Sequence, residues 1–443
     1  MLLNNLLLKI VEKVKGDKTG VYLKMLMKNE NISIHDVNKL QLTLFNILFQ
    51  RIIQNSHPYY SQFKVNFQNS NSLFETLQTL PIIDKSVIRN AGKSWITQKE
   101  SLTICLSTSG SSGIPFEIHH SKESYEIKGA GKERALARFG IGRNEFQMSF
   151  GCGYTSSSST LISKIKLYIH NRIIMNKLFT DITRINKKSL QKNIEDIILK
   201  KPTTIWGYPS FIKELACYGI DNNIKFNNPN LKAVVISGET CNDKMREDII
   251  QFFKVPIIDE YNSNEGFLAS SCREGNLHIS EDTVFMMVRK ENGELSLTGR
   301  GELILTQLYS SAFPLINYTQ GDIIEIVDNH CSCGSNFRII KEVVGRSGAT
   351  PIHNGDEIIG IPVFNHVITK SIYREKIAQY QLVQNKINII EIFIVLRNEN
   401  QSLDGFKNFM QEIFYNCEVK IHLVSNISRE KSGKFKDVIV NIQ

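Results

Sequence analysis

Between residues 203 and 261, short β-rich runs alternate with helical patterns, and this alternation constrains the fold more than any other feature of the chain. Residues 203–206, 232–236 and 256–261 are strand-like, and 211–218 and 243–253 between them carry helical patterns. Strand–helix–strand alternation implies parallel or mixed sheets covered by helices. Residues 1–100 are mostly helical, with apolar positions at helical spacing over 40–53. Residues 277–327 lose the helices: 284–289, 294–297, 302–307 and 323–327 read as successive strands, with a hairpin signal at Glu291-Asn292-Gly293.

Beyond Gly345 a different unit begins, with strands at 380–384, 389–396 and 418–424 and a helix over 403–415. A chain of 443 residues exceeds what one core usually holds, so two domains are expected. The fold class is α/β: a large N-terminal domain, residues 1–345, of mixed sheets sandwiched by helices plus a β-barrel-like segment. Residues 346–443 form a small α+β C-terminal domain on a hinge.

Composition sets the broad class. Hydrophobic residues make up 42% and charged residues 22%, ordinary values for a globular protein. The net charge of +9 is modest for this length and no block of Lys/Arg concentrates it, so no nucleic-acid partner is expected. The start, Met1-Leu2-Leu3-Asn4-Asn5-Leu6-Leu7-Leu8, lacks a basic leader and reads as an amphipathic helix. No stretch reaches the ~20 apolar residues of a membrane span. Eight cysteines without a disulfide-framework spacing imply a reducing, cytoplasmic setting.

The loop Ser107-Thr108-Ser109-Gly110-Ser111-Ser112-Gly113-Ile114-Pro115 lies between strand-like runs at 102–106 and 116–119. Its glycines allow positive φ and close approach to a ligand, and its five hydroxyls and free N–H groups can face phosphate oxygens. It is not a Walker loop, because GxxxxGK[ST] is absent. Taken alone, such a string is more often a flexible hairpin.

The string resembles the phosphate-binding signature [ST]SGTTGxP of the adenylate-forming superfamily, which comprises acyl-CoA synthetases, adenylation domains and luciferases. Five further stations follow in that family's order. Val235-Ile236-Ser237-Gly238-Glu239 resembles the segment that lies along adenine. Tyr261-Asn262-Ser263-Asn264-Glu265-Gly266 resembles the aromatic-glycine-x-[ST]-E motif, whose aromatic stacks near the base and whose acid, here Glu265, holds Mg²⁺. Tyr318-Thr319-Gln320-Gly321-Asp322 resembles Y-x-T-G-D, whose Asp grips the ribose hydroxyls. Gly345-Arg346 resembles the pair that opens the interdomain hinge, and Ser428-Arg429-Glu430-Lys431-Ser432-Gly433-Lys434 resembles PRTxSGK, whose Lys reaches the reacting carboxylate and α-phosphate. Within the superfamily the chain resembles the phenylacetate–CoA ligase branch and its CapK-like relatives of capsular polysaccharide clusters, through Leu80-Pro81-Ile82-Ile83-Asp84-Lys85, Gly207-Tyr208-Pro209-Ser210 and a Cys-rich stretch.

The resemblance implies an AMP-forming acid–thiol ligase. ATP and a small carboxylic acid give an acyl-adenylate and pyrophosphate, with CoA the favoured acceptor and a carrier-protein thiol or an amine the alternatives. Catalytic roles fall to Lys434 and Glu265, and nucleotide contacts to Ser107, Thr108, Ser109, Gly110, Ser111, Ser112, Gly113, Ser237, Gly238, Glu239, Tyr261, Asn262, Ser263, Asn264, Asp322 and Arg346. The acyl pocket would involve Tyr154, Trp206, Tyr208 and Gly238, though two aromatics after a strand also suit core packing. One departure concerns the hinge. The branch carries acidic residues after the G-R pair, whereas this chain has Ser347-Gly348-Ala349-Thr350 and leaves the pivot undefined. A degenerate nucleotide-binding scaffold is the non-enzyme alternative, and a homodimer is left open.

Cys272, His278, Cys331 and Cys333 supply three thiols and an imidazole, the number and softness that a tetrahedral structural zinc takes. They flank the β-rich segment. His330 could replace His278, and reduced cysteines without metal remain the alternative. His119 and His120 read as the exposed end of a strand.

Overall fold

A computed structural model describes residues 2–65, 72–107, 116–151, 169–182, 187–239, 241–328, 330–343, 352–355, 357–359, 364, 367–368, 371–373, 376–398, 401–427 and 438–442. The loop residues Thr108, Ser109, Gly110, Ser111, Ser112 and Gly113, together with Tyr154, Arg346, Gly348, Ala349 and Lys434, lie outside the described residues. The chain divides into two compact units, the first comprising Met1–Ser107, Glu117–Asn144 and Pro256–Ser347, the second Thr108–Phe116, Glu145–Val255 and Gly348–Gln443.

The first unit opens with helices α1 (Leu2–Lys15), α2 (Thr19–Lys28), α3 (Ile34–Gln54), α4 (Leu73–Gln78) and α5 (Lys85–Ala91). Local chemistry sets their starts: Ser33 accepts the Asp36 N–H, Ser72 that of Glu75, and Asp84 those of Ser86 and Val87. Strands β1 (Ile104–Ser107) and β2 (Glu117–His120) then pair antiparallel, and helix α6 (Lys122–Arg138) follows behind its N-cap Ser121.

The second unit takes over with β3 (Gln147–Gly151), β4 (Lys177–Asp181), α7 (Lys187–Lys200), β5 (Thr204–Gly207), α8 (Pro209–Asp221), β6 (Ala233–Ser237) and α9 (Asp243–Phe253). Its strands run parallel in the order β6-β5-β3-β4, as the strand–helix alternation predicts. Every residue of β3 and β6 is buried, and β6, Ala233–Ser237, accordingly reads as a near-continuous apolar run rather than an alternating one.

Back in the first unit, the chain forms β7 (Ile257–Asn262), β8 (Phe267–Ser271), β9 (Leu277–Ile279), β10 (Val284–Arg289), β11 (Leu295–Ser296), β12 (Gly299–Gln307), β13 (Ile323–Val327) and β14 (Ile339–Val343). They lie in the order β11-β10-β12-β13-β14-β9-β8-β7, each neighbour antiparallel. The segment read as barrel-like is therefore part of an open sheet among the described residues. β9 inserts between β14 and β8 and carries the run outward, so β14 does not turn back to close on β10. The inner faces build a core that includes Leu268, Ile279, Val284, Met286, Leu305 and Ile324.

The second unit ends with a hairpin, β15 (Ile352–Asn354) and β16 (Glu357–Ile359), then β17 (Ile377–Lys386), β18 (Ile389–Leu396), α10 (Phe406–Ile413), β19 (Glu418–Leu423) and β20 (Val438–Val440). The sheet order is β19-β18-β17-β20, with β17 and β18 antiparallel and the outer pairs parallel. α10 buries Phe406, Met410 and Ile413, the i, i+4, i+7 stripe of a helix resting on a sheet. Both units together give a mixed α/β architecture.

Candidate functional site

Three groups of sequence-predicted residues come together, each within one unit. In the first unit, β7 delivers Tyr261 and the approach to β13 delivers Asp322. The Tyr261 hydroxyl donates to Asp322 Oδ2 at 2.7 Å. Gln320 reinforces the pair, its Nε2 donating to the same Oδ2 at 2.8 Å and to Tyr261 Oη at 3.2 Å. Residues 61 positions apart are thus locked by a three-membered polar network.

Glu265 sits in the tight turn between β7 and β8, which the Ser263 N–H closes on Gly266 O at 3.0 Å. Its side chain is buried and accepts from the Tyr318 hydroxyl at 3.2 Å. Tyr318 belongs to the same stretch as Asp322 and is bridged to Leu305 on β12. Two further oxygens of the turn, Asn262 Oδ1 and Ser263 Oγ, are buried without a hydrogen-bond partner among the described residues. A carboxylate with hard, under-used oxygens beside it suits Mg²⁺, which prefers such donors and keeps several waters.

The turn is also held from outside. Lys128 on α6 donates to Ser263 O at 2.6 Å and to Asn264 O at 3.3 Å. His120 at the end of β2 approaches Asn264 O at 2.7 Å through Nε2, which must carry the proton because a carbonyl can only accept. Burial pushes the His120 imidazolium down to about 4, with Lys128 adding to the effect and Asn264 O and Glu265 opposing it. Burial likewise brings the Lys128 ammonium down to about 7, helped by Lys132 and opposed by Glu265. Contrary to expectation, then, His120 is not exposed: it is 2% accessible, because β2 turns its ring inward beneath α6. Lys128 had no sequence signal, being one basic residue among several on a polar helix.

In the second unit, Ser237 ends β6 with Gly238 and Glu239 after it, and Trp206 and Tyr208 flank the end of β5. The two aromatic rings lie 6.0 Å apart at 57°. Gly238 has φ +85°, and a Cβ there would stand 3.1 Å from the Tyr208 ring, so the backbone and the aromatic can meet only at a glycine. Glu239 accepts the Ser210 N–H at 3.0 Å, placing a carboxylate at the start of α8 where Tyr208 provides no side-chain cap. Burial raises the Glu239 carboxyl, and the Ser210 contacts oppose it.

The third group is Cys272, His278, Cys331 and Cys333, whose ligand atoms all lie within 4.8 Å of one another. Cys272 Sγ is 3.7 Å from Cys331 Sγ, and Cys333 Sγ is 3.4 Å from His278 Nε2. A tetrahedral zinc with Zn–S near ~2.3 Å separates its sulfurs by about 3.8 Å, so these two separations suit such a site. His278 Nδ1 donates to Phe337 O at 2.8 Å, which leaves Nε2 as the ligand nitrogen, and Asn276 Nδ2 donates to Cys331 Sγ at 3.1 Å. His278, not His330, completes this quartet.

Comparison with known proteins places these features. Residues 353–441 match the family model of the CapK C-terminal domain. Over 420 residues, 92% of this chain and 90% of the relative, the sequence is 25% identical to Protein CapK of Staphylococcus aureus. It is 24% identical over 221 residues, 48% of this chain and 50% of the relative, to Phenylacetate-coenzyme A ligase of Pseudomonas putida. Among solved structures, 2-hydroxyisobutyryl-CoA ligase with 2-HIB-AMP and CoA in the thioesterification state aligns with TM-score 0.63 at 14% identity, covering 94% of this chain and 92% of that one. The same ligase in a postadenylation state aligns with TM-score 0.60 at 14% identity, covering 93% and 91%. The fold is that of the adenylate-forming CoA ligases. In sequence the chain is similar to CapK over most of its length and to phenylacetate-coenzyme A ligase over about half of it, and residues 353–441 match the CapK C-terminal model.

Proposed function

We propose that the protein is an AMP-forming ligase that activates a small carboxylic acid as its acyl-adenylate, releases pyrophosphate and passes the acyl group to a thiol, most simply that of CoA. The observation that carries this reading is the buried turn with Glu265 linked through Tyr318 to the stretch that holds Asp322 against Tyr261. Adenylation needs no protein nucleophile. The substrate carboxylate attacks the α-phosphate in line, and the protein supplies position and positive charge where two anions meet.

In this reading Asp322 and Tyr261 orient the nucleoside, with Ser237, Gly238 and Glu239 along the base and Arg346 at the hinge. Mg²⁺ bound by Glu265 supplies charge neutralisation at the phosphates. The loop from Ser107 to Gly113 holds the departing pyrophosphate, and Lys434 steadies the carboxylate and α-phosphate as charge builds. Residues 1–345 would form the adenylating domain and 346–443 the mobile domain that presents Lys434. Tyr154, Trp206, Tyr208 and Gly238 would border the acid. The quartet Cys272, His278, Cys331 and Cys333 would hold one structural zinc, its role confined to tying the strands together.

The reading is tested with Lys434→Ala in a pyrophosphate-release assay with and without CoA. The variant should still bind ATP yet lose adenylate formation by about two to three decades, the ~3–4 kcal/mol of one transition-state charge contact. A wild-type rate in that variant contradicts the assignment. Acyl transfer to a carrier-protein thiol or an amine, with CoA inert, would keep the first half-reaction and replace the acceptor.

A further inference from the structure

We propose that Lys128, seconded by His120, is the positioning residue for the turn that carries Glu265. The inference rests on the adenylate-forming reading for its catalytic consequence, though not for its geometry. Both side chains reach the turn from other elements, α6 and β2, and both end on main-chain carbonyls. Ser263 O and Asn264 O together accept three hydrogen bonds, of 2.6, 3.3 and 2.7 Å. A trans peptide is planar and carries its N–H opposite its C=O, and among the described residues no peptide bond is cis. Fixing these two carbonyls therefore fixes the planes of two successive peptides, turns the N–H groups of Asn264 and Glu265 away from Lys128, and sets the direction in which the Glu265 side chain leaves the backbone.

The choice of lysine is costly enough to require a reason. Taking an ammonium out of water costs several kcal/mol, and a methionine would fill the same volume. What the ammonium adds is a donor that reaches two carbonyls at once from a rigid helix. Behind the turn, Lys128, Ser124, Thr283, Gln307 and Ser310 line a cavity of about 20 Å³ that also touches Glu265. That is room for one water molecule, and Gln307 Nε2 is buried there with no partner among the described residues. The cavity wall is mixed, since Ile127, Phe267 and Tyr309 also line it, and the two carbonyls of the turn are held by the directed bonds from Lys128 and His120.

The test uses Lys128→Met, Lys128→Arg and His120→Asn, with two readouts. Amide hydrogen exchange of the peptide over residues 259–267 should accelerate about tenfold or more in Lys128→Met while β10 and β12 keep their protection, and Lys128→Arg should recover part of it. The Mg²⁺ concentration for half-maximal pyrophosphate release should rise about five- to tenfold in Lys128→Met, more than the KM for the acid changes. Unchanged exchange in Lys128→Met overturns the proposal. So does faster exchange with unaltered Mg²⁺ dependence, or a loss of protection spread evenly over the whole unit. If Lys128→Met fails to fold, His120→Asn carries the same comparison on the remaining bond to Asn264. Absence of any pyrophosphate release from the wild type contradicts the ligase reading, and the exchange arm still decides whether Lys128 positions the turn.

Discussion

His57 and His120 are both almost fully buried and both spend their ring nitrogens on neutral partners. His57 Nε2 donates to Trp95 O at 3.1 Å while Nδ1 accepts the N–H groups of Tyr59 and Tyr60 at 3.2 and 3.3 Å, an arrangement that only a neutral ring can make. Burial pushes the His57 imidazolium down to about 4, the same value as His120. Since the folded value lies below the unfolded one, the unfolded chain binds more protons between them. Stability is full above about pH 6.5 and falls toward pH 4, by roughly 3 kcal/mol for each histidine. Unfolding by urea, followed by Trp95 fluorescence in a Trp206→Phe background, should show this loss, and His57→Gln should flatten the pH dependence by about one proton. An unchanged slope in His57→Gln contradicts it. Glu239 illustrates a different lesson at this scale: a residue placed along the base by resemblance also caps α8, so its replacement would disturb the helix start as well as any ligand.

Among the elements, the strands β8, β9 and β14 meet at the Cys/His quartet. Cys272 follows β8, His278 lies within β9, and Cys331 and Cys333 precede β14. A metal there closes two loops that β9, only three residues long, holds weakly. Protein purified without chelator should contain one zinc per chain. Cys331→Ser should lose it and lower the stability of the first unit by about 3 kcal/mol or more, since metal binding there is folding free energy. Metal-free wild-type protein with unchanged stability sinks this expectation. α6 makes the complementary contact. A Cβ on Gly131 would stand 2.7 Å from Cδ1 and 3.1 Å from Cβ of Phe267 on β8, and neither the ring root nor the strand can retreat. Gly131→Ala should therefore destabilise by about 1–3 kcal/mol despite alanine's better helix propensity. A stabilised variant in the same urea titration would show that α6 can shift. The same helix carries Arg134, fully buried against Asp282 at 2.8 Å, so α6 is tied to the first unit at Arg134 as well as at Lys128.

For the whole molecule, sequence pattern was most informative where burial follows a simple period. The helix over 243–253 and the strands over 284–289, 323–327 and 389–396 have the bounds their patterns predict, because each carries a regular apolar pattern between turn residues. β9 carries too little periodicity in three residues and β14 does not alternate, and strand succession, which suggested a barrel-like segment, does not reveal which edges meet. The Cys/His quartet was legible because thiols and imidazoles are rare and chemically specific. The partnership of Tyr261 with Asp322 was not, since contacts across 61 residues leave no spacing rule, and nothing local distinguishes Lys128, which is partly buried, from a solvated lysine. The central claim, that these residues serve acid activation by ATP, is tested most directly by acid-dependent ATP–pyrophosphate exchange across aryl, acyl and amino acids, comparing the wild type with Glu265→Gln. Exchange with at least one acid class, reduced in Glu265→Gln by about two to three decades, is the predicted result. No exchange with any acid from protein that binds ATP, or an undiminished rate in Glu265→Gln, would contradict it.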